Sequence, residues 1–173
     1  LLERTRATDP AGVDEARHFL EEAHRRCHPF TRAQALSYRE VLEMAAELGD
    51  NDARLRYFDA APPIDPSDIL APARLEEYRT KAQRYLEQAV DTGRADALRA
   101  LADAYRTGAL GREDPQQAYL YMYAYALAAP PPSHERFAAA RANRAARLRA
   151  LLSPEQAAEA ERAATELVAR CCN

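Results

Sequence analysis

His24, Cys27 and His28 are the first side chains whose types and spacing could do chemistry. Measured from His24, spacings of three and four put all three on one face of a helix, where a borderline metal such as zinc could collect imidazole and thiolate donors. The set is partial. No second His/Cys cluster lies nearby in sequence, and His18, six residues before His24, is poorly placed on the same helix. The expectation is therefore a packed or solvated helix end and no metal. The thiols can also react with one another. Cys27, Cys171 and Cys172 are the three cysteines, and a disulfide from Cys27 to Cys171 or Cys172 would close 144 residues or one more. On the chain-entropy model such a closure stabilises by roughly 3–5 kcal/mol, although that mechanism is disputed. It would imply an oxidising compartment such as a periplasm, with one thiol left over; three reduced thiols in the cytosol are the alternative.

Arg136, Arg141, Arg144, Arg147 and Arg149 form a basic stripe that drifts slowly around one helix. A stripe of this kind can grip phosphates. Phe137 alone stands among these arginines, too little aromatic interleaving for a nucleic-acid site, so the stripe reads as the wet face of an amphipathic helix and no nucleic acid is expected. Catalytic patterns are missing: there is no glycine-rich phosphate loop, no G-x-S-x-G and no H-E-x-x-H. The acid pairs Glu21-Glu22 and Glu76-Glu77 are adjacent, so their carboxylates point about 100° apart on a helix, which suits solvent better than shared acid–base work. No catalytic residue and no cofactor are expected.

The elements that would carry these side chains are helical. Ala, Leu, Glu and Arg dominate the 173 residues, and with 5 Gly and few β-branched residues the composition is all-α. A net charge of −3 favours neither nucleic acid nor an anionic membrane. The longest uncharged run, residues 118–129, is too short to span a bilayer, which takes about twenty residues. The opening "LLERTRATDP" reads like the interior of a longer precursor, one that would carry a cleaved leader.

Prolines, glycines and caps divide the chain into about eight helices. Asp9-Pro10 opens the first, which Pro29 ends. Thr31 and Gln34 form a capping box for the second, closed by Gly49. Asp50 caps a short helix stopped by Pro62-Pro63. After a proline-rich connector, Pro72 starts a long helix that ends at Gly93, and the next ends at Gly108. Asp114-Pro115 opens the following one and Pro130-Pro131-Pro132 stops it. Within it, "YLYMYAY" places Tyr119, Tyr121, Tyr123 and Tyr125 at alternate positions, as a half-buried strand would. The alanines around them and the lack of any partner strand decide for a helix that is aromatic on two sides and packed between neighbours. Ser133 caps the next helix, and the Ser153–Gln156 capping box opens the last.

The chain also repeats itself. "AAELGDNDA", residues 45–53, aligns with "AVDTGRADA", residues 89–97, so that Gly49 and Gly93 stand 44 residues apart. The second copy runs on through Ala97, Leu101, Tyr105, Gly108, Asp114, Ala118, Tyr121 and Met122. In this order and spacing it resembles the Sel-one-like repeat, a relative of the tetratricopeptide solenoids. The pattern's second turn glycine is Leu110 here, with Gly111 beside it, and the 44-residue spacing exceeds the family's usual length of about three dozen. The proline connector over 62–72 accounts for the excess. The closing segment "RLRALLSPEQAAEAERAATELVAR" is similar to the final helix pair of many bacterial proteins of this kind.

The resemblance covers roughly residues 38–170, most strongly 89–129, and implies an α/α solenoid of antiparallel helix pairs; a single domain over residues 1–173 is expected. Within it, 1–48 are N-terminal helices, 49–130 repeat-like pairs and 131–173 a capping pair. The resemblance implies a non-enzymatic adaptor whose partner is a protein or peptide; with the cysteine reading the expected place is the bacterial cell envelope, periplasmic with the cytoplasm as the alternative, and a monomer without a membrane span is expected. In that family the first helix of each pair faces the groove. The candidates for partner contact are accordingly Arg99, Asp103 and Arg106 in the second copy and Arg54 and Tyr57 in the first. The alternative is an envelope enzyme acting on cell-wall material, with a site assembled from scattered residues. Close carboxylates in a pocket would favour the enzyme, and an open groove the adaptor.

Overall fold

The computed structural model describes residues 32–62, 67–129 and 135–172, and among them every regular element is an α-helix. Contacts divide the chain into two compact units, Leu1–Tyr38 and Arg39–Asn173. Of the first unit only the opening of one helix is described. The seven helices are α1 (Arg32–Glu47), α2 (Asn51–Asp59), α3 (Ala71–Asp91), α4 (Ala95–Thr107), α5 (Pro115–Ala128), α6 (Glu135–Arg149) and α7 (Pro154–Cys171). The all-α expectation holds among the described residues. Seven helices stand there against about eight expected; the one expected between Pro10 and His28 lies outside them, as do His18, His24, Cys27 and His28.

Local chemistry sets the helix ends. The Asp50 carboxylate caps α2, accepting hydrogen bonds from the backbone N–H groups of Asp52 and Ala53 at 2.8 and 2.9 Å. Asp114 caps α5 through the Gln117 N–H at 3.0 Å, with Pro115 in the first turn where its missing N–H costs nothing. Ser153 and Gln156 complete a reciprocal capping box at the start of α7. Gly108 ends α4 in the left-handed conformation, φ 69°, and a Cβ there would stand 3.2 Å from the Glu113 nitrogen. Only glycine fits that turn without displacing backbone.

Packing joins consecutive helices and also skips one. α2 lies against α3, α3 against α4, α4 against α5 and α5 against α6, while α5 also packs along α7 and α2 touches α4. A first core cluster gathers Leu42 and Ala46 of α1, Ala53 and Tyr57 of α2, and Tyr78, Ala82 and Tyr85 of α3. Two more surround α5: Leu86, Ala89, Leu98, Leu101 and Ala164 on one side, Ala102, Met122, Leu148, Ala157 and Ala160 on the other.

The alternating tyrosines lie on a helix, as the alanines around them demand. Three of the four reach different neighbours, while Tyr123 meets Tyr119 of the same helix at 5.9 Å between ring centroids. Tyr121 stacks on Tyr105 of α4 at 5.7 Å between ring centroids, and the Tyr119 hydroxyl donates to Glu161 of α7 at 2.7 Å. Tyr125 lies under the Arg141 guanidinium of α6 at 4.7 Å. Two aromatic sides therefore serve three neighbouring helices.

Candidate partner-binding face

The helical period places two opposed faces on α4. Ala97, Leu98, Leu101, Ala102 and Ala104 are fully buried, whereas Asp96, Arg99, Asp103 and Arg106, at spacings of three and four, form the charged face opposite. The same arrangement on α2 buries Ala53 and Tyr57 and exposes Asp52, Arg56 and Asp59. Two clefts open along these charged faces. One, of about 480 Å³, runs between α2 and α4 and carries Asp52, Arg56, Asp59, Asp96, Arg99 and Asp103, with Leu55, Phe58 and Ala100 as its apolar part. The other, of about 610 Å³, runs between α4 and α6 and carries Arg106, Asn143, Arg144 and Arg147 over Ala140, Leu148 and Leu151.

Asp103 joins the two clefts. Its carboxylate faces three guanidiniums: Arg99 at 3.8 Å, Arg106 at 3.4 Å and Arg144, from α6, at 3.5 Å. The separations are loose and the arginine side chains are half exposed, so these pairs orient the guanidiniums more than they stabilise the fold. One carboxylate among three guanidiniums leaves positive charge uncompensated. Arg147 adds to it, since it makes no ion pair among the described residues. The α2–α4 cleft has the opposite balance, four carboxylates to two guanidiniums, with Asp52 also held by Arg94 at 2.8 Å.

The expected contact residues separate into two groups. Arg99, Asp103 and Arg106 come together on this face. Arg54 does not line either cleft: its guanidinium donates to the Ala46 carbonyl at 3.2 Å and to Asn51 at 3.0 Å, tying α2 to the end of α1. Tyr57 is 2% exposed and packs edge-on against Tyr85 and stacked on Tyr78, so it belongs to the core. The residues that stand on the face in their place are Asp52, Arg56 and Asp59, together with Asp96, Arg144 and Arg147. The internal repeat already carried that signal. Tyr57 stands 44 residues before the buried Leu101, and Asp59 the same distance before Asp103.

Behind the face, tyrosines and acids knit α1 to α3. The Tyr85 hydroxyl donates to Glu47 at 2.6 Å, and Arg84 also reaches that carboxylate. The Tyr85 hydrogen bond, followed by the Arg84 charge, holds the Glu47 carboxyl below the usual range. Lys81 bridges Glu43 and Glu77 at 2.6 and 2.7 Å, and hydrogen bonds to both raise its pKa. Burial pushes Tyr78 and Tyr85 up to about 12.

Cys171 and Cys172 are bonded to each other, and both pack against the core around α4 and α5. Cys27, the third cysteine, lies outside the described residues. Among the described residues no three His, Cys, Asp or Glu side chains converge as metal donors. Nor is any helix there long and apolar enough to cross a membrane. Comparison with family models, with curated proteins and with solved structures finds no match to this chain.

Proposed function

We propose that the chain is a non-enzymatic adaptor, an α/α solenoid of the Sel-one-like kind that binds a protein or peptide along the charged faces of α2, α4 and α6. The observation that carries this reading is the clefted face itself. Alternate helices contribute the apolar packing of one side and leave a row of charged side chains on the other, which is how stacked helix pairs present a partner surface. The contact of α2 with α4, and of α4 with α6 through Asp103 and Arg144, supports stacked first helices. A photoreactive residue in place of Arg99 tests it in the native host. A discrete cross-linked partner is expected there and not from Thr165 on α7. Charge reversal at Arg99 and Arg106 should abolish the cross-link while the melting temperature holds. Equal cross-linking from both positions, or loss of fold in the reversal variant, defeats the proposal.

Placement in an oxidising bacterial envelope belongs to the same proposal, supported by the Cys171–Cys172 bond. Alkylation before reduction, followed by peptide mapping, checks it: three freely alkylated thiols would point to the cytosol.

The four carboxylates of the α2–α4 cleft favour the alternative, an envelope enzyme acting on cell-wall material, since acids facing one another across a cleft can divide acid and base roles. Their environment favours binding instead. Asp52, Asp59 and Asp96 are exposed to water, and Asp52 and Asp103 are already answered by arginines. None has the dry surroundings that tune a catalytic carboxyl.

A further inference from the structure

The two clefts carry opposite charge on one continuous face, and resting on the adaptor reading, we infer that the occupant of the α4–α6 cleft is an acidic peptide segment with an apolar residue between its carboxylates. Arg106, Arg144 and Arg147 line that cleft, and no acidic side chain lines it with them. Asp103 stands at its edge and takes Arg106 and Arg144 in loose pairs at 3.4 and 3.5 Å. That contact aims the two guanidiniums without saturating them, because each has five N–H donors and the side chains are about half exposed. Arg147 makes no ion pair among the described residues.

Apart from the arginines and Asn143, the cleft is lined by the apolar Ala140, Leu148 and Leu151. Leu148 is buried, and Leu151 is 67% exposed beside it, a large apolar side chain left in water at the foot of three cations. A segment such as Glu-Glu-Leu-Glu-Glu meets both features at once: carboxylates over the guanidiniums and a leucine on Leu151. Guanidinium forks pair with carboxylates in two-pronged geometry, and the contact with Leu151 sets which residue sits centrally.

The neighbouring cleft limits the site. Asp52, Asp59 and Asp96 repel an acidic chain, so the segment is confined to the α4–α6 end and any continuation over α2 has to be neutral or basic. Charge order along the partner is thereby fixed.

The test uses the whole chain and fluorescent forms of Glu-Glu-Leu-Glu-Glu, Glu-Glu-Ser-Glu-Glu and Lys-Lys-Leu-Lys-Lys, each bearing a photoreactive group. Anisotropy should show the acidic leucine peptide binding at least about tenfold tighter than the basic one, and more weakly as salt is raised. Arg147→Glu alone should weaken it about tenfold, and Arg144→Glu with Arg147→Glu further, with melting within about 2 °C of the parent. Leu151→Ser should weaken the leucine peptide and leave the serine peptide unchanged. Acidic and basic peptides that bind equally, or an acidic peptide indifferent to Arg147→Glu, overturn the inference. In that event, peptides that still cross-link to α2, α4 or α6 leave the adaptor reading standing. Peptides that cross-link elsewhere or nowhere remove both.

Discussion

The two ends of the Arg39–Asn173 unit are held together by different means. Where α1, α2 and α3 meet, three of the seven buried residues are tyrosines: Tyr57, Tyr78 and Tyr85. Their hydroxyls need partners, and two find them at a distance in sequence. Tyr78 donates to the Phe58 carbonyl, and Tyr85 to Glu47, 38 residues away. Around α4, α5 and α7, eight of the fifteen buried residues are alanines, and helices faced with alanine can approach closely without any polar contact. The first end therefore depends on a few large, specific side chains. The second depends on shape, where adding atoms does more harm than removing a single group.

Four measurements break or sharpen that contrast. The largest effect is expected from alkali. An unfolded tyrosine ionises near 10, whereas Tyr78, Tyr85, Tyr119 and Tyr121 are pushed up to about 12, first by burial. Between those values the unfolded chain has released protons that the folded chain still holds, so stability is intact below pH 10 and falls as pH rises to 12. Each fully shifted tyrosine contributes at most about 1.4 kcal/mol per pH unit. Circular dichroism and phenolate absorbance should change together in that window. Phenolate that forms while helicity persists would show that the rings are not what holds the first end.

Next is Tyr57→Ala, which removes a ring packed on two others and should cost roughly 3–5 kcal/mol in denaturant unfolding. A loss below about 1 kcal/mol would mean that the first end tolerates a hole and that the contrast is misplaced. Ala160→Leu probes the other end. Overfilling the close contact of α7 with α5 should cost about 1–3 kcal/mol, read as a lower urea midpoint, whereas a gain would reveal unfilled space. The smallest effect should come from Tyr85→Phe. It takes one hydroxyl from Glu47, an exposed carboxylate that water can serve again, so about 1 kcal/mol is expected by urea titration. The Glu47 carboxyl should then titrate higher, as proton-detected NMR would show.

Helix ends were legible in the sequence because they are local. Asp50, Asp114 and the Ser153–Gln156 pair do as caps what their spacing foretold, since each partner lies within three residues. The face of α4 was legible for the same reason: Asp103 and Arg106, two and five residues after the buried Leu101, stand about 200° and 140° around the helix from it. Long-range pairings left no such trace. Nothing near Asp103 announces Arg144, 41 residues on, and nothing near Tyr85 announces Glu47. On α2 the error had a different origin. The repeat sets Tyr57 against Leu101, a buried position, but tyrosine's hydroxyl invites a surface reading that its ring, 2% exposed, overrides.

The turn at Gly93 reaches beyond its own neighbourhood. A Cβ there would stand 3.2 Å from the carbonyl oxygen of Cys171, 78 residues later, and α3 touches α7 as well. In a purely stepwise stack each pair completes itself as it is made, and folding can advance along the chain as it leaves the ribosome. Here the middle turn acquires its last neighbour only when α7 exists, and closing so long a loop carries an entropic cost that local stacking avoids. Folding of this unit is thus predicted to finish out of order, with a turn in its interior waiting on a helix synthesised long after it.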